Sequence, residues 1–269
     1  MISTQQLAFL HRLARLLAVS VSAIGGIVLF GWWNNIDQLY QVAKNLPSML
    51  PNEALSFMLL GMTLLLLQPA QLPHWRRMAG LLLATGGFCV SIVMLLKLLG
   101  LVPTHVGNDW LWIALLLADA SPQAILAFLL TSIGLFFLGL ERLHLINIAQ
   151  WAALFSVMAL VVIFLGFAHE EDVFYLLSGY HGMSLPSASA FALLGWGIIL
   201  AKVEHGFLRI MAHNSAGGEV ARRVIFLMAI FPAMLGWLPL LLDSERLTHT
   251  QIESLLAAVM ILFIIVMII

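Results

Sequence analysis

The strongest constraint on the fold is a series of long apolar stretches separated by short polar segments. A helix that spans a bilayer needs about 20 mostly apolar residues to cross the hydrocarbon core. Hydrophobic residues make up 62% of this 269-residue chain and charged residues only 9%, so most side chains must face lipid or one another. Eight stretches approach or reach the required length: 16–33, 53–69, 78–101, 122–140, 147–168, 186–203, 221–242 and 251–269.

These stretches predict an all-α polytopic membrane protein with eight transmembrane helices. In lipid every backbone N–H and C=O needs a partner within the protein, which a helix provides. A transmembrane β-barrel would alternate apolar and polar residues, whereas these stretches are continuous. Lys and Arg residues accumulate on the cytoplasmic side of membrane proteins. If the N-terminus lies inside, only three of the twelve Lys and Arg residues lie outside. The N-terminus is therefore predicted to be cytoplasmic, and an even number of helices places the C-terminus there too. The three outer ones are Lys44, Lys97 and Arg246.

Three segments at the starts of predicted outside-to-inside helices resemble one another. They read MLPNEALSFMLLG, ASPQAILAFLLTS and MSLPSASAFALLG, and their alignment superimposes Phe57, Phe128 and Phe191. A proline precedes each phenylalanine, as expected for the first turn of a helix. The predicted N-caps are Asn52, Ser121 and Ser187. Small residues that permit close helix packing follow at Gly61, Ser132 and Gly195.

The intervening helices also share a pattern at their inner ends. HWRRMAGLLL and EVARRVIFLM are similar, and HRLARLLAVS is a looser copy. The chain is therefore predicted to consist of two-helix hairpins repeated about four times, with the last copy degenerate.

The same motifs carry a resemblance to a known family. PNEALSFMLLGMTLLLL and MSLPSASAFALLGWGIILA resemble the helix-start motif of the multi-helix membrane sensor region of bacterial sensor histidine kinases and diguanylate cyclases. HNSAGGEVARRVIFLMAIFPAMLGWLPLL is similar to the inner loop and penultimate helix of that region. The second copy departs from the motif, because Thr131 and Ser132 replace a Leu-Gly pair.

The resemblance implies a signalling role in the bacterial inner membrane. Residues 1–269 would form one integral membrane sensor domain, joined covalently to a cytoplasmic PAS, kinase or GGDEF module and acting as a homodimer. The final LLAAVMILFIIVMII favours such a continuation, since it ends within an apolar helix. The resemblance assigns no ligand, cofactor or catalytic residue.

The outer segments supply the candidate ligand-binding residues. They are aromatic and amphipathic, which is typical of an interfacial aromatic belt and also of a lid over a ligand pocket. Converging helix starts would place partly positive backbone ends around the same space. The candidate contacts are Asp37, Tyr40, Asn52, Glu53, Asp109, Trp110, Tyr175, His181 and Ser187.

A metal site is an alternative interpretation of the same face. Imidazole and carboxylate groups suit Zn, Cu or Fe, and the candidates are His169, Asp172 and His181. No HExxH or paired Cys/His motif accompanies them. Axial haem ligation by histidines is a further alternative.

Two classes of function remain open on the sequence. The first is a non-catalytic sensory domain that passes a signal through its last helix to a cytoplasmic enzyme. The second is a self-contained transporter of small solutes or lipids, or a membrane enzyme. Transporters usually carry ionisable groups at mid-membrane, which are scarce here, and no basic stripe indicates nucleic acid.

Overall fold

A computed structural model describes residues 4–41, 47–68, 73–101, 119–169 and 183–202. All the regular secondary structure in these ranges is helical. The helices are α1 (Thr4–Asn34), α2 (Asp37–Tyr40), α3 (Pro51–Leu67), α4 (His74–Leu98), α5 (Pro122–Gly139), α6 (Leu143–His169) and α7 (Leu185–Ala201).

Several of these helices have the length and apolar character of membrane spans. Leu7–Asn34, His74–Leu98 and Pro122–Gly139 are each long and apolar enough to cross a bilayer. Pro51–Leu67, Leu143–Val157 and Pro186–Ala201 are apolar but shorter. Large apolar side chains also lie exposed on the outside of the bundle, as lipid contact requires; examples are Phe9, Leu16, Leu82, Leu126 and Phe155. The predicted spans 221–242 and 251–269 lie outside the described residues.

The six long helices form a ring with an approximate threefold arrangement. The helices α3, α5 and α7 contact one another pairwise and form the centre. Each of the other three packs between two central helices: α1 between α3 and α7, α4 between α3 and α5, and α6 between α5 and α7. The three similar segments of the sequence therefore begin the three central helices.

Glycines allow the outer helices to approach the central ones closely. A Cβ added at Gly61 would lie 2.4 Å from Ser22 Oγ on α1, and one added at Gly195 would lie 2.4 Å from Val157 Cγ2 on α6. The second hairpin consists of α4 and α5. There the aligned residue on α5 is Ser132, and the glycine at this level is Gly87 on α4. Each hairpin thus contains a small residue at this level, but the second pair carries its glycine on the other helix.

The end of the bundle that carries most basic residues is tied together by polar contacts. Arg77 Nη2 donates to the carbonyl of Leu140 at 3.3 Å, which joins the start of α4 to the end of α5. Lys202 Nζ lies 3.3 Å from Glu141 Oε1, which joins the end of α7 to the turn before α6. Gln150, fully buried on α6, donates to the carbonyls of Ile199 and Lys202 at 3.4 and 3.3 Å.

The structure corrects two of the three predicted N-caps. Ser121 is the N-cap of α5, where its hydroxyl accepts from the N–H of Ala124 at 3.3 Å. For α3 and α7 the caps are Leu50 and Ser184, so Asn52 and Ser187 lie inside the first turn. The prediction failed because proline is favoured within the first helical turn: Pro51 is the first residue of α3 and Pro186 the second of α7, so each cap lies before the proline.

Candidate functional site

The three central helices place equivalent residues in layers along the bundle axis. One layer contains the three aligned phenylalanines. The layer one turn toward the helix starts contains Glu53, Ala124 and Ser187, and the next contains Met49, Ala120 and Met183. Every one of these side chains is at least nine-tenths buried. The second layer is the unusual one, because it places a carboxyl group and a hydroxyl group on the axis of an apolar bundle.

The phenylalanine layer closes the axis beneath these polar groups. The ring centroids of Phe57, Phe128 and Phe191 are 4.4–4.7 Å apart, and the rings meet at interplanar angles of 56–68°. All three side chains are completely buried. Tilted and edge-to-face contacts at this distance are the favoured arrangement of aromatic rings. Deeper along the axis the apolar packing continues through Leu64, Leu135 and Ile198, which are fully buried.

Glu53 and Ser187 form a direct hydrogen bond between α3 and α7. Ser187 Oγ donates to Glu53 Oε2 at 2.6 Å, and the two residues are 134 positions apart in the chain. Glu53 is 2% exposed and Ser187 is fully buried. Hydrogen bonds to charged groups are among the stronger ones, and a buried polar group without a partner is costly. This contact therefore joins the first and third repeats near the helix starts.

The local backbone of each helix start supports the same two residues. The N–H of Leu50 donates to Glu53 Oε2 at 3.4 Å, so the carboxylate satisfies an unpaired N–H at its own helix start. At the start of α7 the Ser184 hydroxyl donates to Ser187 Oγ at 2.8 Å and accepts from the N–H of Ser187 at 3.2 Å. Asn52 Oδ1 accepts from the N–H of Glu53 at 2.9 Å. A connected polar network thus occupies the starts of α3 and α7.

The connection between α1 and α3 packs beside this network. Trp32 and Tyr40 stack with ring centroids 4.3 Å apart. Trp32 Nε1 donates to the carbonyl of Met49 at 2.9 Å, and the N–H of Met49 donates to the carbonyl of Tyr40 at 2.8 Å. Tyr40 donates its hydroxyl to Asp37. That hydrogen bond, together with partial desolvation and the negative charge of Asp37, raises the pKa of Tyr40.

The structure therefore brings some predicted site residues together and separates others. Glu53 and Ser187 meet directly, and Asn52 lies beside Glu53. Asp37 and Tyr40 pair with each other, and they reach the network through the backbone of Met49. Four candidates lie outside the described residues: Asp109, Trp110, Tyr175 and His181.

Sequence reasoning missed two contributors to the site. Ser184 was overlooked because the cap was assigned after the proline; the Ser-Leu-Pro order is the signal that could have identified it. Trp32 was not among the candidate residues, although its indole N–H donates to the carbonyl of Met49. Indole N–H groups usually find an acceptor when partly buried, and this tendency is the signal that could have identified Trp32.

The described residues contain no cluster of side chains that supports the predicted metal site. Two of its three candidates, Asp172 and His181, lie outside the described residues, and His169 is the final residue of α6. In the described ranges, His, Cys, Asp and Glu do not gather into a group of three that could hold a metal ion.

Polar side chains also gather at the opposite end of the axis. Gln68, 5% exposed, and Lys202, 9% exposed, occupy equivalent positions after α3 and α7. Among the residues that the structure describes, neither amide atom of Gln68 finds a hydrogen-bond partner. The apolar centre of the bundle is therefore bounded by polar groups at both ends.

No protein-family model, curated protein or solved structure matches the chain. The motifs of the sequence and the geometry of the polar network above the phenylalanine layer are therefore the basis for proposing a function.

Proposed function

We propose that this chain is the membrane-embedded sensory domain of a bacterial signalling protein. In this proposal eight helices cross the inner membrane, both ends face the cytoplasm, and the basic end of the bundle is the inner end. A stimulus acts at the outer half of the bundle, and the last helix passes the change to a cytoplasmic kinase or diguanylate cyclase within a homodimer. The resemblance of the repeated motifs supports this choice of output.

The observation that carries the proposal is the buried hydrogen bond between Glu53 and Ser187. It joins two helices that start at the same end and are far apart in sequence. Ionisable groups buried in membrane bundles are costly and mark functional positions by default. A ligand can shift a conformational equilibrium only if it binds two states with different affinity. A polar contact between two helices distinguishes two such states, because it exists only in the state in which the helices are adjacent. A ligand that competes for this contact would bind the two states with different affinity.

The closed axis favours a sensor over a conduit through this bundle. Three fully buried rings in mutual contact fill the axis below Glu53, and buried aliphatic side chains continue the packing. A solute passing along this axis would have to separate all three central helices. Movement of helix ends around a packed centre requires no such separation. The transporter and membrane-enzyme alternatives therefore need a path or site elsewhere.

Output measurements on the full-length protein test the sensory role. We expect Glu53→Gln and Ser187→Ala to change basal output by about fivefold or more, since one hydrogen bond contributes about 1 kcal/mol. The matched control is Ser56→Ala, because Ser56 is equally buried but bonds only to the carbonyl of Asn52 in its own helix. Output is measured as autophosphorylation or as cyclic-di-GMP, normalised to the amount of protein in the membrane. Unchanged output in both interhelix variants would contradict the proposal.

The reading frame downstream of Ile269 distinguishes the two functional classes. Continuation into a kinase or GGDEF sequence supports the sensor. A stop codon directly after Ile269 favours a self-contained transporter or enzyme, and transport of radiolabelled solutes into proteoliposomes would then be the next measurement.

A further inference from the structure

The Glu53 carboxyl group stands without a cationic partner in the part of the chain that the structure describes. The elements packed against α3 place their charged and titratable side chains elsewhere. On α1 and α4 these side chains lie toward the basic end, apart from Cys89 and Lys97, and Lys97 pairs with Asp119 at 2.8 Å. The helices α5 and α7 contain no titratable residue. Asp37 and Tyr40 of α2 pair with each other.

The described hydrogen bonds of Glu53 reach only one of its two carboxyl oxygens. Both described donors, the Leu50 N–H and the Ser187 hydroxyl, point at Oε2. An ionised carboxylate only accepts hydrogen bonds, whereas a protonated one carries an O–H donor that needs an acceptor. Oε1 is the oxygen at which a proton can be added without first breaking these two bonds. The serine pair at the start of α7 then faces a neutral group instead of a charged one.

From this geometry we infer that Glu53 is a proton-binding site, and that protonation loosens the link between α3 and α7. The proton adds to Oε1 from the outer side, and the carboxylate becomes a neutral carboxylic acid. Hydrogen bonds to charged groups are roughly twice as strong as neutral ones, so the Ser187 contact weakens when the charge disappears. The inference deepens the proposed sensory role by naming the proton as a ligand of the same site, yet proton binding is measurable without any output.

Infrared difference spectroscopy of the full chain in lipid vesicles tests proton binding directly. We expect a carboxylic-acid C=O band that grows as the pH falls, shifts in heavy water and is lost completely in Glu53→Gln. Ser187→Ala keeps the carboxyl group but removes one of its donors, so its band should remain and move in frequency. This second variant identifies the band even if Glu53→Gln fails to fold. A spectrum with no titrating band that responds to either variant overturns the inference.

Amide hydrogen exchange tests the loosening of the helix link. Glu53→Gln imitates the neutral carboxyl group, so exchange is compared between wild type and variant at the same pH. At alkaline pH we expect slower exchange in the wild type over the starts of α3 and α7, and at acidic pH equal rates. Equal rates throughout, alongside a titrating band, would overturn the loosening. A titrating band and slowed exchange without a pH-dependent output would instead contradict the sensory role alone.

Discussion

At the scale of single residues, the phenylalanine at the centre of each repeat is expected to contribute most directly to the stability of the bundle. Phe128 is fully buried and contacts two other rings, whereas Phe136 on the same helix is 36% exposed. The two positions carry the same type of side chain on the same helix and differ in how far that side chain is buried.

We expect Phe128→Ala to destabilise the bundle by about 3–5 kcal/mol, the range typical of removing a buried aromatic ring. Phe136→Ala is the matched control and should cost far less, because its ring already faces outward. Unfolding in mixed micelles with increasing denaturing detergent measures the difference. Equal losses for both variants would show that the central layer is not the principal packing site.

The Asp37–Tyr40 pair predicts a titration outside the membrane spans. The Tyr40 hydroxyl donates to the carboxylate of Asp37, and this bond disappears when the phenol ionises, so the pKa of Tyr40 is raised. Asp37→Asn should lower that pKa by removing the negative acceptor. Because the folded value is the higher one, the pair stabilises the connection below the ordinary pKa of tyrosine, and this stabilisation is lost as the pH rises through the raised pKa.

Ultraviolet absorbance of tyrosinate measures this titration. The chain has three tyrosines, so Tyr40→Phe identifies the contribution of Tyr40 by difference. If Asp37→Asn leaves that contribution at the same pH, the two side chains are not bonded in solution.

At the scale of helices, two adjacent glycines of α1 differ sharply in their surroundings. A Cβ at Gly25 would lie 2.5 Å from the carbonyl oxygen of Ala54 and 2.8 Å from the backbone nitrogen of Met58. A Cβ at Gly26 would meet nothing within 4 Å. Backbone atoms cannot rotate away as a side chain can, so a methyl group at Gly25 must push α1 from α3.

Gly25→Ala should therefore destabilise the protein, by about 1–3 kcal/mol as for other overpacked sites. Gly26→Ala should be neutral or slightly stabilising, because alanine favours helix more than glycine does. Thermal unfolding of both variants in the same detergent gives the comparison. A more harmful effect at Gly26 than at Gly25 would contradict the packing of α1 on α3.

The sequence predicted where the helices lie better than it predicted the residues at which they begin. Within the described ranges, continuous apolar stretches located all six long helices, because in lipid the backbone has few alternatives to a helix. The start of α4 was placed at residue 78, but the helix begins at His74, since hydropathy does not register its polar first turn, which contains Arg76 and Arg77. The predicted caps at Asn52 and Ser187 were also wrong. They were chosen because Asn and Ser are favoured cap residues, whereas the position of the proline determines the residue at which each helix begins.

At the scale of the whole molecule, the ring of helices carries an orientation that labelling can test. In a Cys89→Ser background, a cysteine replacing exposed Asp37 marks one end of the bundle, and a cysteine replacing exposed Arg142 marks the other. A membrane-impermeant maleimide added to intact spheroplasts should modify the first and spare the second. Opened membranes provide the control, in which both react. Modification of the Arg142 position in intact spheroplasts would reverse the orientation.

The site was only partly predictable from the sequence, because two of its features are long-range. Periodicity and the repeated motif indicated that Glu53 and Ser187 begin equivalent helices, but not that they would touch across 134 positions. That contact depends on the cyclic order of six helices, which apolar composition does not encode. The three phenylalanines aligned in the sequence, yet their meeting at one point required the threefold arrangement of α3, α5 and α7.

If the central helices tilt as rigid bodies, the phenylalanine layer is the point about which they pivot. It lies about six residues from the start of α3 and ten from its end, so a rise of about 1.5 Å per residue gives arms of about 9 and 15 Å. A rigid helix pivoting at this fulcrum moves its two ends in opposite directions and amplifies the displacement about 1.7-fold on the longer arm. A displacement of the Glu53 end by about 1 Å would thus drive the basic end about 1.7 Å the opposite way, against the packed side chains of Leu64, Leu135 and Ile198.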